Sequence, residues 1–204
     1  MKKNPYPGKF VVLEGLDGSG QTTQSELLKD FLISKEHSAI VTKEPTQESD
    51  AGKRIRRILD MQETASPKEF QELFARDRKY HLQHSIIPAL QQGNLVISDR
   101  YFFSSFAYGA AEEVDLEYLI QINNEFLLPD LSFFLNVRPE LCMERMKERG
   151  KPLSYFENLD RLGKTWNVFE LLANRFENVH PINGEQSIEK VAKDIQQIMI
   201  KTLL

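Results

Sequence analysis

The sequence predicts an α/β fold: a parallel five-stranded sheet with helices on both faces, in three layers. Two observations carry that expectation. Short apolar runs alternate along the chain with longer stretches whose apolar residues recur at helical spacing. A glycine-rich loop also joins the first run to the first helical stretch, and sheets of this kind bind ligands beyond the carboxyl ends of their strands.

Phe10, Val11, Val12, Leu13 and Glu14 form the first run and read as a buried strand. Gly15, Gly18 and Gly20 make a tight loop after it. From Thr22 onward Leu27, Leu28, Phe31 and Leu32 fall at helical spacing. Residues 39–42 read as a second strand, closed by Glu44 and Pro45, and a helix is expected over 51–59. Ser66 and Pro67 start another helix, with Ser as N-cap and Pro in the first turn. It should run to 92–93 and bend near Pro88. Residues 95–98 are the third strand, followed by helices over 104–111 and 115–127. The fourth strand spans 131–137, and Pro139 opens a helix that ends at Gly150. Residues 150–156 lack periodicity and read as a loop before a helix over 157–174. Residues 179–182 are a short fifth strand. Ser187 caps a last helix with Ile188, Val191, Ile195, Ile198 and Met199 on one face.

A chain of 204 residues suits one domain, at about 100–200 residues each. It is read as a single domain over 1–204, with a lid segment around 148–160. The 26 Lys and Arg against 30 Asp and Glu give a net charge of -4, which argues against a basic surface for nucleic acid but not against a local basic pocket. Cys142 is the one cysteine, so no intrachain disulfide framework is possible. No apolar run approaches the ~18 residues of a membrane span. The basic start lacks the apolar stretch of a signal peptide. A cytoplasmic protein without membrane or nucleic-acid partners is expected.

Gly15-Leu16-Asp17-Gly18-Ser19-Gly20-Gln21-Thr22, followed by Thr23, fits the phosphate-binding P-loop G-x-x-x-x-G-K-[ST] at every position but one. Glycines let the backbone wrap a phosphate, and the N–H groups at the helix start favour the anion. Thr22 would give its hydroxyl to Mg²⁺. Where the pattern has Lys the sequence has Gln21, which can donate a hydrogen bond to phosphate but carries no charge. Either another cation compensates or nucleotide is bound with little catalysis. A glycine-rich turn without a ligand is the plainer alternative. Asp99 ends the third strand near Thr22 and can help hold Mg²⁺, directly or through water. Arg100 offers a planar fork suited to phosphate. Phe74 and Arg78 are four apart and share a helix face; on spacing alone Phe74 is core, and Arg76 rivals Arg78. His37, His81, His84 and His180 show no metal-ligand spacing, and His81 and His84 read as surface. Cys142 reads as buried packing, and Trp166 and the Phe-rich stretches as core or dimer surface.

Asp99-Arg100-Tyr101 leads to Ser104, Ser105 and Tyr108; with the glycine loop, Lys43-Glu44-Pro45 and Phe74-x-x-x-Arg78, this resembles the thymidylate kinase family over nearly the whole chain. Residues 133–140, followed by Arg145, Arg149 and Gly150, are similar to the family's stretch before its lid, and Tyr155-Phe156-Glu157 to a lid element of archaeal-type members. The resemblance implies a fold of the P-loop nucleoside monophosphate kinase type, a homodimer, and transfer of the γ-phosphate of ATP to dTMP with Mg²⁺. It implies that residues 15–23 and Arg145 hold ATP, Arg145 packing on adenine beside the loop 183–185. It assigns dTMP to Asp17, Pro45, Phe74, Arg78, Arg100, Ser105 and Tyr108. Among these Phe74 stacks on thymine, Arg78 contacts base or phosphate, and Ser105 bonds the base edge. Tyr108 excludes a 2′-hydroxyl, Asp17 meets the 3′-hydroxyl, and Lys43 stands where the family often has Arg.

Catalysis is expected of Arg100, Asp17, Arg149 and Lys151. Arg149 and Lys151 flank Gly150 and are expected to replace part of the charge absent at Gln21; Arg161 and Lys164 are further lid candidates. Helix 70–90 and segment 102–108 are expected at a two-fold axis. A nucleotide-binding homologue with weak turnover, and a kinase for another small nucleotide, stay open. No N-K-x-D guanine motif follows a strand, which argues against a switch GTPase.

Overall fold

Strands covered on both faces need apolar residues at every position, and the three most continuous apolar runs are the inner strands. In the computed structural model, which describes residues 1–148 and 158–204, these are β1 (Lys9–Gly15), β3 (Leu95–Asp99) and β4 (Leu131–Asn136), nearly all buried. The half-exposed β2 (Ala39–Lys43) and β5 (Val179–Asn183) are the edges. All pairings are parallel, in the order β2-β3-β1-β4-β5. Register sets Asp99 beside Leu13 on one side and Lys43 on the other, so the carboxyl ends of β1, β2 and β3 converge there.

Alternate residues of each strand feed two cores. Val11, Leu13, Ile97, Leu131, Phe133 and Leu135 pack with Leu28 and Leu32 of α1 (Gln21–Ser34) and with Val191, Ile195 and Met199 of α9 (Ile188–Leu203). Phe10, Val12, Val96 and Phe134 face the opposite layer. That layer holds α2 (Asp50–Leu59), α3 (Pro67–His81), α4 (Ile87–Gln91), α5 (Phe102–Ala111), α6 (Leu116–Ile122), α7 (Pro139–Glu148) and α8 (Leu159–Arg175). The expected three-layer arrangement is present. Ser66 and Ser187 cap as expected, accepting from Glu69 N and Lys190 N. Among the described residues no helix is long and apolar enough to cross a membrane.

Three expectations change. The helix from Ser66 does not bend at Pro88 alone. A π-helical turn, Leu82–Ile86, separates α3 from α4, and Ile87 N donates to Leu82 O. Pro88 has no N–H for the ordinary ladder, and the wider turn absorbs that loss. Second, α6 stops at Ile122 rather than 127. Phe126 O accepts from Lys2 N and Leu128 N donates to Lys2 O, so that backbone pairs with the start of the chain instead. Third, residues 102–108 are internal. Phe102, Phe103 and Phe106 are fully buried within one chain, and Phe103 meets Phe176 edge to face. They leave no side chain to present across a two-fold axis, because α8 covers them first.

Phe103→Ala is expected to cost about 3–5 kcal/mol in urea unfolding, without changing the oligomeric state seen by light scattering.

Candidate active site

A cavity of about 530 Å³ opens at the carboxyl ends of β1, β2 and β3. Its wall brings together Asp17, Gly18, Gly20, Gln21, Thr22, Thr23, Pro45, Phe74, Arg78, Asp99, Arg100, Ser105 and Tyr108, most of the residues singled out from sequence. Leu16 instead turns its side chain into the core. Arg145 stands behind the loop, donating to Gly184 O at 3.1 Å and Ser19 O at 3.5 Å. Arg149, Lys151 and most of the expected lid lie outside the described residues. Arg161 pairs with Glu112 and Lys164 with Asp160.

The loop needs Gly15 and Gly18 for space as well as conformation, and Gly20 for conformation alone. Gly18 has φ +90°, and a Cβ there would lie 2.5 Å from Cys142 O. An added side chain at 18 has nowhere to go in this conformation. Gly20, at φ +104°, is the N-cap of α1, whose positive end faces the cavity. Cys142 is packing, as expected; burial pushes its thiol up to about 12. Gln21 is 5 % exposed and donates from Nε2 to Gly15 O at 2.7 Å. One of the two N–H groups of its amide thus braces the loop.

Thr22 Oγ1 donates to Asp99 Oδ2, and Lys43 Nζ donates to both, at 3.0 and 2.6 Å. Hard oxygen donors that already hold a cation suit Mg²⁺, which typically takes one or two carboxylates and completes its shell with phosphates and water. Among the described residues no group of three or more His, Cys, Asp or Glu is arranged to hold a metal by itself.

Arg100 occupies a strained backbone, φ 75°, held by its N–H on Leu13 O and by Ser98 Oγ on its carbonyl. Its guanidinium donates to Asp17 Oδ1 at 2.7 Å, Gly15 O at 3.1 Å and Ser104 Oγ at 3.0 Å. Tyr108 OH closes the group by donating to Asp17 Oδ2 and accepting from Asp17 N. Beneath it lies Glu14, which accepts from Tyr101 N and from Ser104 Oγ. Burial raises its carboxyl to about 8, against the pull of Ser104, Arg100 and Arg78.

Arg78 sits on a buried network. Nε and Nη2 both donate to Glu44 Oε2, at 2.9 and 2.7 Å, Nη2 also to Ser105 Oγ at 3.0 Å, and Nη1 to Asn123 Oδ1 at 2.5 Å. Glu44 Oε1 faces His81 Nδ1 at 3.1 Å, and Thr42 Oγ1 lies on the other ring nitrogen. His81 is therefore not a surface residue; it is 1 % exposed. Helical spacing placed it on α3, but only the β2–α3 packing decides that this face is covered. His84 is exposed as expected. Phe74 is half-buried and lines the cavity, so it is not core alone. Glu44 and Ser104 belong to the stretches that carry the family resemblance but had no role read for them, and Glu14 and Asn123 carried no sequence signal beyond a polar residue at an element's end. Tyr101, Gln71 and Arg56 also line the cavity.

The thymidylate kinase family model matches residues 13–195. A protein of Pyrococcus horikoshii described as a probable thymidylate kinase is 38 % identical over 202 residues, covering 97 % of this chain and 98 % of its own. One from Archaeoglobus fulgidus, described the same way, is 36 % identical, with 93 % and 94 % covered. The thymidylate kinase of Desulfotalea psychrophila is 35 % identical, with 97 % and 96 % covered.

Gly18→Ala should cost about 1–3 kcal/mol from backbone strain alone, and calorimetry should show weakened nucleotide binding. Glu14 makes stability depend on pH. The folded chain keeps a proton, up to about 8, that the unfolded chain releases near 4.5. Stability therefore falls as pH rises between those values and levels off above them, by on the order of a few kcal/mol. Glu14→Gln should flatten that decline in melting temperatures taken from pH 5 to 9.

Proposed function

Since the chain belongs to the thymidylate kinase family, we propose that it transfers the γ-phosphate of ATP to dTMP, giving dTDP and ADP. The family match over residues 13–195 carries this reading. The cavity supports it with a phosphate-binding loop, the guanidinium groups of Arg78 and Arg100 and an aromatic face in one wall.

The loop N–H groups and the start of α1 would hold the phosphates of ATP, with Arg145 and the loop 183–185 bordering the adenine. Thr22 and Asp99 would hold Mg²⁺, which when bound neutralises charge on the β- and γ-phosphates. Arg100, oriented by Asp17 and Ser104, presents its fork to the acceptor phosphate, and Asp17 also reaches the sugar 3′-hydroxyl. Phe74 stacks on thymine while Pro45 borders it. Arg78, buried and paired with Glu44, is read as a donor to a base carbonyl rather than to phosphate. Ser105 bonds the base edge, and Tyr108 fills the space of a 2′-hydroxyl. The acceptor is already anionic, so positioning and charge carry the reaction and no general base is required. We read the protein as a cytoplasmic homodimer, with α3 and α4 rather than α5 toward the partner.

Gln21 favours one second reading, a homologue that binds nucleotides with negligible turnover. A coupled assay with ATP, Mg²⁺ and a panel of acceptors separates the two. dTDP formation with dTMP preferred over dAMP and thymidine is expected, and Arg100→Met should lower kcat/KM by about 10²–10³-fold. Tight nucleotide binding without detectable dTDP would overturn the proposal.

A further inference from the structure

Gln21 leaves the loop without the charge its pattern calls for, and its amide donates to Gly15 O. A cation nevertheless stands beside the loop. Lys43 ends β2, and the β2–β3 register sets it next to Asp99. Its Nζ lies 3.0 Å from Thr22 Oγ1 and 2.6 Å from Asp99 Oδ2. Thr22 directly follows Gln21 in the chain. In a P-loop the lysine reaches the β- and γ-phosphates, and the Ser or Thr hydroxyl serves the metal bridging those same phosphates. An ammonium on the Thr22 hydroxyl is thus about one coordination shell from the oxygens a loop lysine would touch. The backbone of Lys43 is pinned by its strand, while its side chain is 52 % exposed on a flexible stem. Phosphates seated on the loop would offer the ammonium anionic oxygens within reach of that stem, whether or not a cation takes the Asp99 and Thr22 oxygens.

We propose that Lys43 is a catalytic residue that supplies, from the edge of the sheet, the positive charge missing at Gln21. Without nucleotide it neutralises Asp99. With nucleotide bound it contacts the γ-phosphoryl group of ATP. As the acceptor phosphate oxygen bonds to the γ-phosphorus, the bond to the β,γ-bridging oxygen breaks and its electron pair leaves with ADP. Lys43 keeps its proton and stabilises the charge in transit. This rests on the phosphoryl transfer proposed above.

The test is a cycle of Lys43→Met, Gln21→Lys and the double variant, with folding checked by circular dichroism. Lys43→Met should lower kcat by about 10²-fold or more. Gln21→Lys should recover about tenfold of that loss in the double variant. Lys43→Arg, which keeps the charge, should stay within about tenfold of native. Calorimetry with ATP in the presence of a chelator gives a readout apart from turnover. There Lys43→Met should weaken ATP by about fivefold or more, Gln21→Lys should restore it, and dTMP binding should hold within about twofold. The proposal is overturned if Gln21→Lys recovers nothing, or if the defect of Lys43→Met lies in dTMP affinity with ATP binding intact. A native protein that makes no dTDP sinks the proposed function instead, and the chelated ATP cycle still decides the role of Lys43.

Discussion

The pair between Glu44 and Arg78 is the interaction on which the cavity depends. The two groups are 2 % and 1 % exposed and meet at 2.7 Å. Two charges taken so far from water are tolerated only when their remaining donors and acceptors are satisfied. His81 occupies the second oxygen of Glu44, while Ser105 and Asn123 take further donors of Arg78. Those partners come from the end of β2 and from α3, α5 and the end of α6. One ion pair therefore ties four parts of the chain into a single wall. Its neighbour Asp77 extends the tie, accepting from Thr46 N and Oγ1 and from Ser49 Oγ. Gly52 fits beneath because a Cβ there would lie 2.2 Å from Thr46 O. Asp77 and Arg78, adjacent on one helix, thus grip the 44–49 turn from both sides.

The rest of the cavity repeats the principle at higher exposure. Arg100 is paired with Asp17, and Lys43 with Asp99. Both of these cations already have a carboxylate, which keeps them oriented. A polyanion entering the cavity adds to or replaces these pairs and need not order free side chains, which keeps the entropic cost of binding low. The same logic explains how a chain with a net charge of -4 can hold a site for anions. Its positive groups are gathered at the carboxyl ends of three strands, beside the positive end of α1.

Much of this was legible in the sequence because it is local. Apolar runs marked all five strands, Ser66 and Ser187 marked helix starts, and the spacing of Gly15, Gly18 and Gly20 before Thr22 marked the loop. Most of the residues singled out for the nucleotides line one cavity, since strand ends in a parallel sheet must converge. Less legible was everything that depends on a distant partner. The end of α6 is decided by backbone pairing between Lys2 and residues near Leu127. His81 reads as surface until β2 brings Thr42 and Glu44 against it. Residues 102–108 read as a dimer face until α8 covers them.

The sequence by itself determined the elements, the sheet class and the loop, because periodicity, capping and spacing are properties of chain neighbours. Only the tertiary structure decided what each polar side chain meets. It joined the amide of Gln21 to Gly15 and set the ammonium of Lys43 beside Thr22. Strand register and helix packing bring such groups within hydrogen-bond reach across long stretches of chain, and no local pattern records that distance.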